Sequence, residues 1–246
     1  MDEIEITTLE KQPELKQDLL RINNTAWPEF LLNWYCPAWQ NLFSTFADFQ
    51  ILLKENNKLI AFGHTVPIQG DVSKKSQPDA MRVILEQAVQ NKIKNIKPNI
   101  LIALAAVVAE KHRGRGLSFA IVKAMKKLAA ERNLSLLLVP IRPTLKHQYP
   151  LIPLPEYADW KRDDGLPFDP WLRVHKKLGG EKFKISNKFM KITGTVQEWE
   201  EWSGLRIPDE GKYIVPGALN PVEIDYENNL GIYYDPCVWI KYKINK

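Results

Sequence analysis

The chain of 246 residues is poor in side chains that bind metals or staple small folds: two cysteines, Cys36 and Cys237, and four scattered histidines. No Cys-x-x-Cys or His-x-x-x-His spacing joins any of them, which argues against a zinc framework and predicts no metal. Two distant thiols in a chain this long are expected to be reduced, as in a cytoplasmic protein. Long apolar runs are also missing. The longest, 100–109, is about half of the roughly 20 residues a membrane-spanning helix needs, so it reads as a buried strand of a soluble protein with no membrane partner. The opening Met-Asp-Glu-Ile-Glu-Ile is acidic where a secretory leader is basic and then apolar, so no export is expected. Repeats, low-complexity tracts and Gly/Ser linkers are absent, and one compact domain with an elaborated C-terminal part follows.

What is present is ordinary globular composition, 45% apolar and 26% charged. Lys and Arg number 34 against 29 acidic residues, a net charge of +5. That excess suits an anionic ligand but lacks the dense basic clustering of a nucleic-acid binder, so no nucleic-acid partner is expected.

Hydrophobic periodicity orders the elements. Residues 4–8 alternate as a short strand, and Pro13 opens a helical pattern through Leu15, Leu19, Leu20 and Ile22. Residues 37–49 read as a second helix. Residues 49–54 and 59–63 read as two strands joined by an Asn-containing turn. A helix from Met81 leads into the strand at 100–109. Residues 117–132 carry an apolar stripe of Leu117, Ile121, Ala124, Met125 and Leu128 opposite Lys123, Lys126, Lys127 and Glu131, an amphipathic helix with its stripe on a sheet. Residues 134–141 form the next buried strand, which Pro140 and Pro143 oblige to leave its neighbour.

Between strand and helix lies Lys111-His-Arg113-Gly114-Arg115-Gly116-Leu117-Ser118. Two glycines allow a tight turn with exposed N–H groups at the positive end of a helix dipole, a place for a pyrophosphate, with Arg113 and Arg115 at its rim. The third glycine and distal acid of a dinucleotide fingerprint are missing, and so is the Gly-Lys-Ser/Thr of a P-loop.

In this strand-loop-helix context, Arg113-Gly-Arg-Gly116-Leu-Ser118 resembles the coenzyme A loop (Q/R-x-x-G-x-G/A) of the GNAT acetyltransferase superfamily, and the element order over 1–195 matches. The resemblance implies an α/β fold: a central mixed, twisted sheet with helices on both faces and two central strands splayed to hold coenzyme A. It implies that the backbone of Arg113, Gly114, Arg115, Gly116, Leu117 and Ser118 binds the pyrophosphate and that Val108 hydrogen-bonds the thioester end. Acetyl-CoA or another short acyl-CoA is then the co-substrate. Ser118 stands where Gly or Ala is usual. A minimal fold of this kind ends near 195, so 196–246 is expected to be an extension packed on the same domain that helps close the acceptor side.

Asp169-Pro170-Trp171-Leu-Arg-Val-His175-Lys-Lys-Leu178-Gly179-Gly180 looks like the superfamily's last helix, with Pro at its start and Gly past its end. His175 stands where many members place a Tyr that protonates the leaving thiolate, and an imidazolium could deliver that proton at neutral pH. A narrower similarity, from Pro140 to Trp202, is to the GNAT-like subgroup that includes polyketide-synthase loading domains. There a Thr and a His matching Thr144 and His175 handle an acyl or malonyl thioester. Trp171, Tyr149 and Arg142 are the candidate substrate contacts, while Glu110 and most of the eight tryptophans read as surface and packing residues. The expected activity is direct acyl transfer to a small-molecule amine or a carrier-protein thiol. Malonyl-thioester decarboxylation or S-acyl transfer, and non-catalytic acyl-CoA binding, are the alternatives.

Overall fold

Apolar β-branched runs and helical stripes alternate along the chain, and each finds its partner in one nine-stranded mixed sheet with helices on both faces. The computed structural model describes residues 4–71 and 79–244. Strand β1 (Glu5–Thr8) pairs antiparallel with β2 (Ile51–Glu55), which turns into β3 (Lys58–Ile68). Asn56 and Asn57 take φ of 50° and 61° in that turn, the left-handed pair a two-residue hairpin requires and that Asn tolerates. Then β3 pairs antiparallel with β4 (Ile100–Val108), and β4 pairs parallel with β5 (Leu136–Ile141).

Helix α1 (Lys16–Asn24) buries Leu19 on one face of the sheet. The four-residue α2 (Glu29–Leu32) buries Phe30 against the C-terminal elements, and α3 (Met81–Ile93) lies across β3 on the α1 face. Helix α4 (Leu117–Glu131) sets Ile121, Val122, Met125 and Leu128 on the opposite face. Between α1 and β2 the expected second helix is absent: residues Pro37–Phe43 and Ala47–Phe49 are separate 3-10 turns. Asn41 donates to the Ala38 carbonyl and accepts from Thr45 Oγ1, local bonds that compete with a continuous helix.

The C-terminal fifty residues, expected as an extension packed on the same domain, build into the sheet itself. After α5 (Leu154–Tyr157), α6 (Pro170–Lys177), β6 (Glu181–Gly194) and α7 (Val196–Ser203), the strands β7 (Gly211–Tyr213) and β8 (Val222–Asp225) lead into β9 (Leu230–Lys243). Strand β9 lies between β5 and β6, pairing with β5 from Leu136↔Lys243 to Ile141↔Val238 and with β6 along its other edge. The sheet is therefore incomplete without residues beyond 195, and β6 reaches it only through β9.

The strands also part earlier than Pro140. The last β4–β5 pair is Ile102↔Leu138, whereas Pro140 still faces Trp239 of β9. At the same level β4 carries an extra residue opposite β3, since His64 pairs with Ala105 and Thr65 with Ala103. This bulge exchanges the faces: Leu101 and Ala103 pack on the α4 side before it, Ala106 and Val108 after it.

Two consequences can be measured. Ending the chain at residue 196 removes β9, so the fragment should lack a cooperative thermal transition in circular dichroism; a fragment melting like the full chain would show that β9 is dispensable. A Cβ at Gly231 would lie 2.1 Å from Cδ1 of the buried Trp199, so Gly231→Ala should cost about 1–3 kcal/mol in urea unfolding.

Candidate active site

The parting of β4 from β5 opens a small cavity, about 60 Å³, walled by Ala103–Ala106 from β4, Val139, Pro140 and Arg142 from the β5 side, Met125 of α4, and Trp171 and His175 of α6. A second cavity of about 710 Å³ lies toward α1, walled by aromatic residues including Trp27, Trp34, Trp39, Phe43 and Phe189. Its size is that of a small-molecule pocket. Both cavities are lined by Trp27, Leu104, Ala105, Pro140 and Arg142, so they meet at the β4 bulge.

The glycine loop stands at the C-terminal end of β4. Gly114 and Gly116 have φ of 78° and 75°, and a Cβ on either would meet nothing within 4 Å, so the space beside the loop is open while a side chain there is strained by the backbone. Gly116 is the N-cap of α4, whose first N–H groups, at Leu117 and Ser118, have no acceptor inside the helix. Leu117 is buried and anchors the turn, while Arg113 is exposed. Two of the expected loop contacts change. The Arg113 N–H donates to the Glu110 carbonyl at 3.2 Å. Arg115 is drawn to the hairpin, its Nη1 and Nη2 donating to Glu55 at 3.0 and 2.6 Å, and holds the Glu55 carboxyl below its ordinary range.

Val108 lines neither cavity. Ala109 donates its N–H to Ile60 of β3 at 2.9 Å. By the alternation of an antiparallel ladder, the backbone groups of Val108 and Ala106 point the other way, into the gap. Of the two, Ala106 is at the cavity and Val108 is nearer the loop.

Asp169 caps α6, accepting from the N–H groups of Trp171 and Leu172 at 2.9 and 3.2 Å. Its other oxygen takes the Leu145 N–H and the Tyr157 hydroxyl, and burial together with Asp169 pushes the Tyr157 phenol up. One carboxylate thus fixes both α6 and the loop after β5. Trp171 and His175, one turn apart, both face the small cavity, with ring centroids 4.4 Å apart. His175 is fully buried; its Nδ1 lies 2.7 Å from Tyr242 Oη, and among the described residues its Nε2 has no hydrogen-bond partner. Burial drives its pKa down to about 3. That corrects the expected imidazolium, because the ring is neutral at pH 7.

Thr144 is exposed on the loop after β5 and lines neither cavity, so the structure does not bring it to His175. Tyr149 packs with Tyr157, Trp160 and Phe168 away from both cavities. Arg142 does reach the junction, with Nε 3.0 and 3.1 Å from the two oxygens of Asp235 and Nη2 2.6 Å from the Gly217 carbonyl. Trp27, Asp235 and Cys237 also line the larger cavity. The sequence reading did not single them out as site residues because the tryptophans carried no spacing signal and nothing local marks Asp235 or Cys237 as facing a cavity.

No family model matches the chain. The arginine N-acetyltransferase avaD of Aspergillus versicolor is 29% identical over 255 residues, covering 90% of this chain and 87% of that protein. Among solved structures, the loading GNATL domain of CurA from Lyngbya majuscula has a TM-score of 0.62 at 16% identity, over 99% of this chain and 98% of that one. The GphF GNAT-like decarboxylase in complex with isobutyryl-CoA gives 0.62 at 12% identity over 99% and 100%. The sheet, its splayed strands and the loop at the head of α4 give the chain the same fold as these GNAT structures.

A second buried imidazole extends the pH argument. Gln50 Nε2 donates to the Phe46 and Thr65 carbonyls, so its Oε1 accepts from His64 Nδ1 at 2.8 Å. Burial holds His64 near a pKa of about 3 as well. Between that value and about 6.5 the unfolded chain binds the protons the folded chain refuses. Stability is therefore fully present above about pH 6.5 and falls as the pH drops toward 3, by about 2 kcal/mol per histidine at pH 5. Urea midpoints should decline over that range, and His64→Gln should flatten the slope; an unchanged slope would contradict the assignment.

Proposed function

We propose that the protein moves a short acyl group, acetyl in the simplest case, from coenzyme A to an amine of a small molecule by direct attack. The observation that carries this reading is the meeting of the two cavities at Trp27, Leu104, Ala105, Pro140 and Arg142. A thioester threaded through the strand gap from the glycine loop arrives where the aromatic cavity opens. In this reading the N–H groups of Gly114, Gly116, Leu117 and Ser118 hold the pyrophosphate, Arg113 adds charge, and the pantetheine amides pair with the gap-facing backbone of Ala106 and Val108. The named activity of the avaD relative and the isobutyryl-CoA bound to GphF support acyl-CoA as the donor.

The acceptor nitrogen attacks the thioester carbonyl carbon, the C–S bond breaks, and the proton lost by nitrogen leaves on the coenzyme A thiol. His175 acts here as a neutral ring. Burial keeps the Tyr242 phenol protonated, and its hydroxyl is nearer to Nδ1, at 2.7 Å, than to the His175 carbonyl, at 3.3 Å. Donation to Nδ1 leaves the ring proton on Nε2, where it hydrogen-bonds the developing thiolate. Malonyl decarboxylation by a Thr144–His175 pair is not carried forward, since Thr144 lies outside both cavities.

Calorimetric titration with acetyl-CoA should show binding, and Gly116→Glu should abolish it by straining the left-handed turn and setting a carboxylate against the pyrophosphate; no binding to the wild type at millimolar ligand would overturn the reading. His175→Ala should lower turnover by about 10²- to 10⁴-fold with acetyl-CoA affinity nearly intact. Because the ring is neutral at pH 7, the wild-type rate should show no limb near pH 6.5. A limb there that disappears in His175→Ala would restore the imidazolium.

A further inference from the structure

Resting on the N-acyl transfer proposed above, we infer that the acceptor is a free α-amino acid, whose carboxylate is held by Arg142 while its amino group lies beside Asp235 at the strand gap. Among the described residues, the charged side chains lining the larger cavity are Lys16, Arg142 and Asp235. Two cations against one carboxylate favour a ligand that brings an anion. Lys16 stands over the Phe43 ring at 5.3 Å. Arg142 and Asp235 are clamped together by the two Nε contacts, by Arg142 Nη2 on the Gly217 carbonyl, and by the Tyr233 hydroxyl, which donates to Asp235 Oδ1 at 2.5 Å and accepts the Leu219 N–H at 2.9 Å.

With Asp235 buried, Arg142 partly buried, and the pair tied to the Gly217 carbonyl and the Tyr233 hydroxyl, it is held at the cavity, and its own charges cancel. What it leaves unsatisfied defines the ligand. Arg142 Nη1 makes none of these contacts, and among the described residues Asp235 Oδ2 accepts from Arg142 Nε. A carboxylate answers the first and an N–H donor the second. In an α-amino acid these groups are separated by a single carbon. Since Arg142 lines both cavities, a carboxylate on Nη1 sets the amine at the gap, and the side chain runs out between Trp27, Trp34, Trp39 and Phe43. A simple alkylamine would bring another cation to a cavity already in cationic excess and leave Nη1 unanswered.

The test compares each amino acid with the amine formed by removing its carboxylate, using acetyl-CoA and the released thiol as readout: phenylalanine with 2-phenylethylamine, leucine with 3-methylbutylamine, arginine with agmatine. In the best pair the amino acid should exceed its amine by about 10²-fold in kcat/KM. Arg142→Gln should raise KM for the amino acid about tenfold more than for its amine and so erase most of the preference, and if that variant fails to fold the wild-type panel decides alone. Amines that react as well as their amino acids would overturn the inference and leave N-acyl transfer standing. Acetyl-CoA binding with no transfer to either set would overturn both.

Discussion

The structure depends on one interruption: β4 and β5 are bonded over three residue pairs and then part. Neither strand can close the gap by drifting, because each is held on its outer edge. β4 is registered to β3 as far as Val108↔Ala61, and β5 to β9 as far as Ile141↔Val238. Backbone groups facing the gap lose strand partners, which is costly in a buried place unless something else supplies them. The amides of a ligand threaded between the strands would do so, and the gap points from the glycine loop toward the aromatic cavity.

The side chains that frame the gap are held by partners distant in sequence. His175 is set by Tyr242 of β9, and Arg142 by Asp235 of the same strand. Asp169 joins the first turn of α6 to the loop that follows β5. The last strand is thus both the outer brace of β5 and the source of the groups that orient the site. Burial then decides the chemistry of the ring at 175: with solvent removed and no carboxylate beside it, the charged form is penalised and the neutral ring persists.

The elements read most directly from the sequence are those with a complete local signal. The stripe from Leu117 to Leu128, the two left-handed glycines before it, and the Asp169-Pro170 start and Gly179 end of α6 each state their conformation within a few residues. Residues 37–49 carried enough apolar residues to imitate a helix, but side-chain bonds at Asn41 and Thr45 broke it into turns. Strand β9 was not read as a strand of the sheet, because Pro236 falls inside it and residues 196–246 were expected only to pack as an extension.

The sequence by itself determined the superfamily-like loop, the buried strand before it, the amphipathic helix after it and the position of His175, since these rest on backbone conformation and periodicity over short spans. Tertiary structure alone decided where β4 leaves β5, that Arg115 turns to Glu55 rather than to the loop, that Thr144 and Tyr149 stand apart from the site, and that Asp235 enters it. A single bulge at Leu104 shows the reason. It shifts which residues of an unbroken apolar run face each side, and no local pattern reports it, because every residue of the run is equally content to be buried.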